Sequence, residues 1–183
     1  MTRLIMGFAM CGLACAGGAG AQAQQPTVRR PLAQATEIQG YPCAKGYAWF
    51  YADGKLKECA VARDADFGVA TAPAGSWINL TGDGGPDFVF LVRDMNVAGY
   101  QCRGGNRLLG PTEGAMTGFY PSGRLKVCWL AKARDVQGVP CAGSGMFTGD
   151  SSVRFYESGK LQACKLSKDY GTGKRGQRFS QAQ

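Results

Sequence analysis

The chain has 183 residues and a formal net charge of +8, with 28 glycines, 8 cysteines and no histidine. The missing histidine excludes Ser-His-Asp and Cys-His catalysis and removes the commonest general base and metal ligand. Short runs of aromatic and β-branched residues, bounded by glycine, proline and aspartate, read as strands and turns, and no helical periodicity of useful length interrupts them.

Residues 1–23 have the layout of a signal peptide: one positive charge at Arg3, an apolar run from Leu4 to about Ala16, and small residues ending in Ala21-Gln22-Ala23. That run is too short to span a bilayer, so the expectation is export, cleavage after Ala23 and no transmembrane span in the mature chain. Cys15 follows Gly12-Leu13-Ala14, which makes a lipoprotein anchored at Cys15 the competing layout, although Gly12 stands where a large aliphatic residue is usual. Cleavage leaves about 160 residues, enough for one domain with a core or a short repeat array. It also removes Cys11 and Cys15, and the remaining six cysteines, an even number in an oxidising compartment, are expected to form disulfides. Zinc is not expected, because no Cys-x-x-Cys pair exists.

Residues 24–36 read as a linker, residues 37–169 as a repeat domain. Three segments share one pattern. IQGYPCAKGYAWFYADGKLKECAVARD runs from Ile38 to Asp64. VAGYQC (Val97 to Cys102) resumes after an insertion as TGFYPSGRLKVCWLAKARD, ending at Asp135. VQGVPC (Val136 to Cys141) resumes as VRFYESGKLQACKLSKD, ending at Asp169. Each is Gly-x-x-Cys, an aromatic pair, two turn residues, glycine, a basic residue, leucine, two residues and cysteine. Phe50-Tyr51, Phe119-Tyr120 and Phe155-Tyr156 close one strand, the glycine supplies the positive φ of a tight reversal, and Leu56, Leu125 and Leu161 open the return strand. The predicted fold is therefore all-β, an array of about four antiparallel hairpins stacked because a lone hairpin is marginal in water.

Between the first and third segments lies a degenerate copy: GVAT (Gly68 to Thr71), then WINLTGDGGPDFVFLVRD (Trp77 to Asp94). Thr71 stands where the first cysteine is expected, and Val89 or Phe90 where the second is expected. Both cysteines are lost together, which strands no partner only if each bond stays within its repeat. The expected pairs are therefore Cys43–Cys59, Cys102–Cys128 and Cys141–Cys164. A difficulty remains: the leucine after each turn lies three residues from the cysteine, so a regular strand points them to opposite faces. A bulge, or burial on both faces, reconciles this.

FYADGKLKEC, FYPSGRLKVC and FYESGKLQAC resemble the MORN-type repeat variant of bacterial proteins, whose core is aromatic, Tyr, two turn residues, Gly, Lys or Arg, Leu. The resemblance covers about 100 residues and implies an elongated sheet of hairpins with roles in protein or membrane-lipid contact; some members are toxin-neutralising. The paired cysteines and the insertions depart from the usual repeat, so no specific partner carries over.

No catalytic residue, cofactor or metal site is expected. The Arg63-Asp64, Arg93-Asp94 and Arg134-Asp135 corners read as surface ion pairs or turn caps. TGDGGPD lacks the alternating oxygen ligands of a calcium loop. GGNRLLG lacks the Lys-Ser/Thr of a phosphate loop. Two glycine-rich insertions, Arg103 to Thr117 and Ala142 to Ser152, offer the candidate binding residues Arg103, Arg107, Leu108, Leu109, Met146 and Phe147, since loops on a rigid scaffold commonly carry binding. Residues 170–183 read as a basic, disordered tail, with Lys174, Arg175 and Arg178. The functional expectation is a non-enzymatic exported binding or structural protein of the periplasm or cell surface, contacting a protein or an anionic envelope component, with no nucleic-acid partner. The alternative is an inhibitor or a toxin-neutralising or effector component of the envelope.

Overall fold

A computed structural model describes residues 26–68, 70–105, 115–145 and 151–182. The signal-peptide residues, Arg107, Leu108, Leu109, Met146 and Phe147 lie outside them. Strand β1 (Thr27–Leu32) comes first, and four units follow, each a short hairpin and then a longer one. Unit 1 holds β2 (Thr36–Ile38), β3 (Tyr41–Tyr51) and β4 (Leu56–Val61), with β3 serving both hairpins. Unit 2 holds β5 (Ala65–Asp66), β6 (Thr71–Ala72), β7 (Trp77–Leu80) and β8 (Pro86–Phe90). Unit 3 holds β9 (Met95–Val97), β10 (Tyr100–Cys102), β11 (Thr117–Phe119) and β12 (Leu125–Trp129). Unit 4 holds β13 (Arg134–Val136), β14 (Val139–Cys141), β15 (Ser152–Phe155) and β16 (Leu161–Lys165), and β17 (Arg178–Ser180) closes the chain. The long hairpins join side by side in the order β1-β3-β4-β7-β8-β11-β12-β15-β16-β17, and β2 makes this an 11-stranded antiparallel sheet.

Each long hairpin turns in the same way. The Tyr51 N–H donates to the Lys55 carbonyl at 2.8 Å and the Gly54 N–H to the Tyr51 carbonyl at 2.9 Å. Tyr120 with Gly123, Tyr156 with Gly159 and Thr81 with Gly84 repeat this pair of bonds. Gly54, Gly84, Gly123 and Gly159 sit at φ of 84°, 89°, 80° and 85°, where a Cβ is disfavoured. The short hairpins reverse through Gln39-Gly40, Ala98-Gly99 and Gln137-Gly138, whose first residues all have φ of 51°. Positive φ at both turn positions matches the twist of paired strands.

A bulge settles the leucine–cysteine parity. Phe50 pairs with Leu56 but Trp49 with Glu58, so the return strand contains one extra residue there. Leu56 and Cys59 consequently both face inward and are fully buried. The same shift recurs at Gly118/Phe119 and Arg154/Phe155, where burial also covers Val127 and Ala163 between leucine and cysteine. Inward-facing residues form one core, from Phe50 and Val61 through Ile78, Val89 and Phe119 to Val153 and Leu166.

The three disulfides are Cys43–Cys59, Cys102–Cys128 and Cys141–Cys164, with Cα separations of 5.7, 5.6 and 5.7 Å. Each ties the second strand of a short hairpin to the return strand of its own unit, and all six cysteines are fully buried. In unit 2 the structure moves the first expected cysteine position by one residue. Ala65 pairs with Ala72 as Thr36 pairs with Cys43, so Ala72, buried, corresponds to the cysteine, and Thr71 is exposed. The cause is the turn, which places Gly68 where Gln39 stands rather than where Gly40 does. On β8, Val89 is the counterpart, since Ile78 pairs with Val89 as Ala48 pairs with Cys59; Phe90 points to the other face.

Two expected boundaries are corrected. Within the linker read over residues 24–36, Thr27–Leu32 form β1 and pair with β3 from Thr27↔Tyr51 to Leu32↔Gly46. Within the tail read as disordered, Arg178–Ser180 form β17 and pair with β16. Both segments supply hydrogen bonds to strand edges that the hairpins leave open. A loop leads into β17: the Arg175 N–H donates to Asp169 at 2.9 Å, Lys174 pairs with Asp169 at 3.0 Å, and the Tyr170 and Phe179 rings meet edge-on at 5.9 Å. Hydrogen bonds from the Arg175 N–H and Lys174 hold the Asp169 carboxyl below its ordinary range.

Candidate functional site

The repeated Tyr-x-x-Gly-Lys/Arg-Leu signature works within the scaffold. The Tyr51 hydroxyl donates to the Leu80 carbonyl at 2.7 Å, Tyr120 to Phe155 at 2.9 Å and Tyr156 to Gln181 at 2.6 Å, in each case reaching past the return strand of its own hairpin to the next hairpin or, for Gln181, to the residue after β17. The basic residue after the turn glycine does the same: Lys55 Nζ reaches the Gly82 carbonyl at 2.8 Å and Arg124 Nη1 the Glu157 carbonyl at 2.9 Å. An amphipathic tyrosine suits this position, with its ring on the sheet and its hydroxyl on a carbonyl. Unit 2 has Thr81 there, whose hydroxyl turns back to Gly85 and Asp83 within its own loop.

Asp64 and Asp94, two of the three corner aspartates, are caps. Asp64 accepts from the Ala74 N–H at 2.9 Å and Asp94 from the Gly104 N–H at 2.9 Å. Arg63 pairs with Glu37 at 3.0 Å, and Arg134 donates to the Gly99 carbonyl at 3.0 Å. Of the candidate loop residues, Arg103 is described, and it is half-buried at the root of the first insertion. Its guanidinium donates to the Ser144 carbonyl at the root of the second, so it joins the two loop bases. Gly104 and Gly143 lie so close to the backbone of residues 93 and 132–133 that no Cβ fits at either position. Both roots are thereby packed against the preceding corner.

The sheet face turned away from the core presents a surface that motif reading missed. One row runs through Arg29, Trp49, Glu58, Asn79 and Phe88 and continues to Gly118, Val127 and Arg154; Asn79, Gly118 and Val127 are buried, so its accessible part is the end from Arg29 to Glu58, with Phe88 and Arg154 beyond. Their strand neighbours Ala48, Cys59, Ile78 and Val89 are buried in the core, so alternation sets this row outward. Beside it stand Tyr47, Tyr51, Trp77 and Phe90, with Trp77 opposite Phe90 and the Phe88 and Phe90 rings 5.3 Å apart edge-on. Tyr47 is 47% exposed. Cations lie over these rings: Arg29 is 3.6 Å from the Tyr47 centroid and 5.9 Å from that of Trp49, and Lys57 is 5.9 Å from that of Tyr51. The signal existed in sequence as the alternation Tyr47-x-Trp49-x-Tyr51, but only cross-strand register assembles the row.

Two half-buried carboxylates belong to this surface, Glu58 in the row and Asp87 next to Phe88. Burial pushes the Glu58 carboxyl up, opposed by the Asn79 amide, which donates to it at 3.0 Å, and by Lys57. Burial pushes Asp87 up, opposed by Lys126 and Lys57. Burial, followed by the charges of Asp87, Asp83 and Asp53, raises the Tyr51 phenol above its ordinary range. Among the described residues no group of three or more His, Cys, Asp or Glu side chains could hold a metal, and no helix is long and apolar enough to cross a membrane. Three buried disulfides suit an oxidising environment. No family model matches this chain, and neither a curated protein nor a solved structure is similar to it.

Proposed function

We propose that the chain is an exported, non-enzymatic binding protein of the periplasm or cell surface that holds an anionic envelope polymer on its outer sheet face. The observation that carries this reading is the row of rings and cations from Arg29 and Tyr47 to Phe88 and Phe90. Ring faces stack on the apolar faces of sugars, and adjacent Arg and Lys pair with carboxylate or phosphate groups. Rings and cations spread over several strands of a disulfide-tied sheet suit a long repetitive ligand rather than a small enclosed one. The signature motif spends its tyrosine hydroxyls and the Lys55 and Arg124 side chains on holding units together and leaves the Tyr51 ring face to the row. Its similarity to MORN-type repeats agrees with a contact role.

Affinity electrophoresis in gels containing polygalacturonate, with dextran as the neutral control, tests this. Retardation should occur in polygalacturonate only, should weaken as salt rises from 0.05 to 0.5 M (roughly a threefold shorter screening length), and should fall in Tyr47→Ala and Arg29→Ala at unchanged melting temperature. Equal retardation by dextran, or binding to phosphatidylglycerol vesicles with none to the polymer, would overturn the proposal.

A further inference from the structure

Units 1 and 4 each contain a glutamine that closes a clamp. The Gln39 Oε1 accepts from the Leu56 N–H at 3.0 Å and its Nε2 donates to the Gly54 carbonyl at 3.4 Å. Gln137 Oε1 accepts from the Leu161 N–H at 2.9 Å and its Nε2 donates to the Gly159 carbonyl at 2.8 Å. A side-chain carboxamide thus bridges the positive-φ turn of the short hairpin and the glycine turn of the long one. The N–H and carbonyl it reads both point out of their own hairpin.

Unit 2 abandons this clamp on both sides. Gly68 stands in place of the glutamine, and Pro86, which has no N–H, stands in place of the leucine. Unit 3 abandons it on one side only. Ala98 replaces the glutamine at the same φ of 51°, while Leu125 retains its N–H and Gly123 its carbonyl. Among the described residues, no side chain reaches either group. Losing one partner of a buried hydrogen bond is the expensive case, whereas losing both is close to neutral.

The space beyond Ala98 is a cavity of about 570 Å³, lined by Val97, Tyr100, Phe119, Leu125 and Phe155 and bordered by Gly123, Arg124 and Ser158. The Tyr100 and Phe155 rings lie 4.7 Å apart with a 41° tilt, and Arg134 caps Tyr100 at 5.4 Å. Val97, Phe119 and Phe155 are nearly fully buried, so the walls are preformed and apolar.

We infer that this cavity binds a primary carboxamide carried on an apolar or aromatic body, its oxygen accepting from the Leu125 N–H and its NH2 donating to the Gly123 carbonyl, as Gln39 and Gln137 do within the chain. A carboxylate offers the acceptor but leaves the Gly123 carbonyl facing an anionic oxygen in place of a donor, and that repulsion opposes the attraction of the nearby Arg124 and Arg134. The occupant is either a free small amide or the glutamine side chain of a partner polypeptide. The cavity lies at the hairpin turns rather than on the outer face, so it stands or falls independently of polymer binding.

The test is a ¹⁵N–¹H correlation spectrum of the full oxidised protein, titrated with benzamide, benzoate and N-acetylglutamine methylamide. Benzamide or the glutamine derivative should shift the Leu125 and Gly123 amides saturably, and benzoate should not. Response to the glutamine derivative alone assigns a polypeptide side chain as the source; response to benzamide assigns small amides as well. Ala98→Gln, which the backbone accepts because Gln39 and Gln137 share its φ, should slow Leu125 amide exchange about tenfold and abolish the titration. No saturable shift at Leu125, an equal response to benzoate, or titration that survives in A98Q would each overturn the inference.

Discussion

Replacing Gln137 with alanine isolates the clamp, because unit 3 shows that alanine takes the same backbone conformation: Ala98 and Gln137 both have φ of 51°. The substitution deletes the bond from the Leu161 N–H at 2.9 Å and the bond to the Gly159 carbonyl at 2.8 Å. Leu161 is 1% exposed, so its N–H is poorly placed to find water, while the glycine turn is open to solvent. The loss should come to about 1.5 kcal/mol, dominated by the stranded N–H. For a domain of this size that lowers the melting temperature by roughly 3–6 °C. Gln39→Ala should cost less, since its bond to Gly54 is 3.4 Å long. Gln137→Glu separates the two bonds, keeping an acceptor for Leu161 while setting a carboxylate oxygen against the Gly159 carbonyl. Guanidinium unfolding of the oxidised protein gives the ranking, and exchange at the Leu161 amide reports the bond directly. A Q137A change below about 0.5 kcal/mol, within the range of an ordinary surface substitution, or a larger loss in Q39A, would refute the clamp.

Cysteines placed at Ala72 and Val89 should oxidise spontaneously and raise stability by about 3 kcal/mol on the chain-entropy account, whereas a Thr71 and Val89 pair should retain two thiols; thiol titration of the folded protein decides between them. Arg103→Ser should lower stability by about 1–2 kcal/mol through loss of the charged bond to the Ser144 carbonyl, and unchanged unfolding would leave Arg103 free for a ligand. Glu58→Gln tests the raised carboxyl: the folded state holds this proton more tightly than the unfolded chain, so ionisation begins to penalise folding as pH passes the unfolded pKa, and the penalty is complete above the folded one. The stability gained by E58Q should therefore be absent in acid and grow as pH rises towards 7, and a gain independent of pH would place the effect elsewhere.

Much of the scaffold is legible in the sequence because its determinants are local. A turn glycine, the aromatic pair before it and the leucine after it lie within a few residues, and hairpin geometry follows from that spacing. The disulfide pairing is legible for a different reason: the joint loss of both cysteines in unit 2 reveals a nonlocal contact through its absence. What occupies the two edges is not legible, since RRP at Arg29–Pro31 and KRGQR near Arg178 look polar and loop-like, and only the open edges of β3 and β16 make strands of their surroundings. The one-residue shift to Ala72 likewise depends on which turn position Gly68 occupies in space.

The chain's own residues thus determine the hairpins, their turns and the cysteine pairs, because each is specified by short-range spacing or by matched presence and absence. Tertiary structure alone decides the outer row from Arg29 to Arg154 and the cavity beside Ala98. The row depends on register carried across successive strands, where each bulge reverses which residues face out. The cavity depends on an alanine whose significance appears only when Gln39 and Gln137 are seen reaching the backbone of a different hairpin.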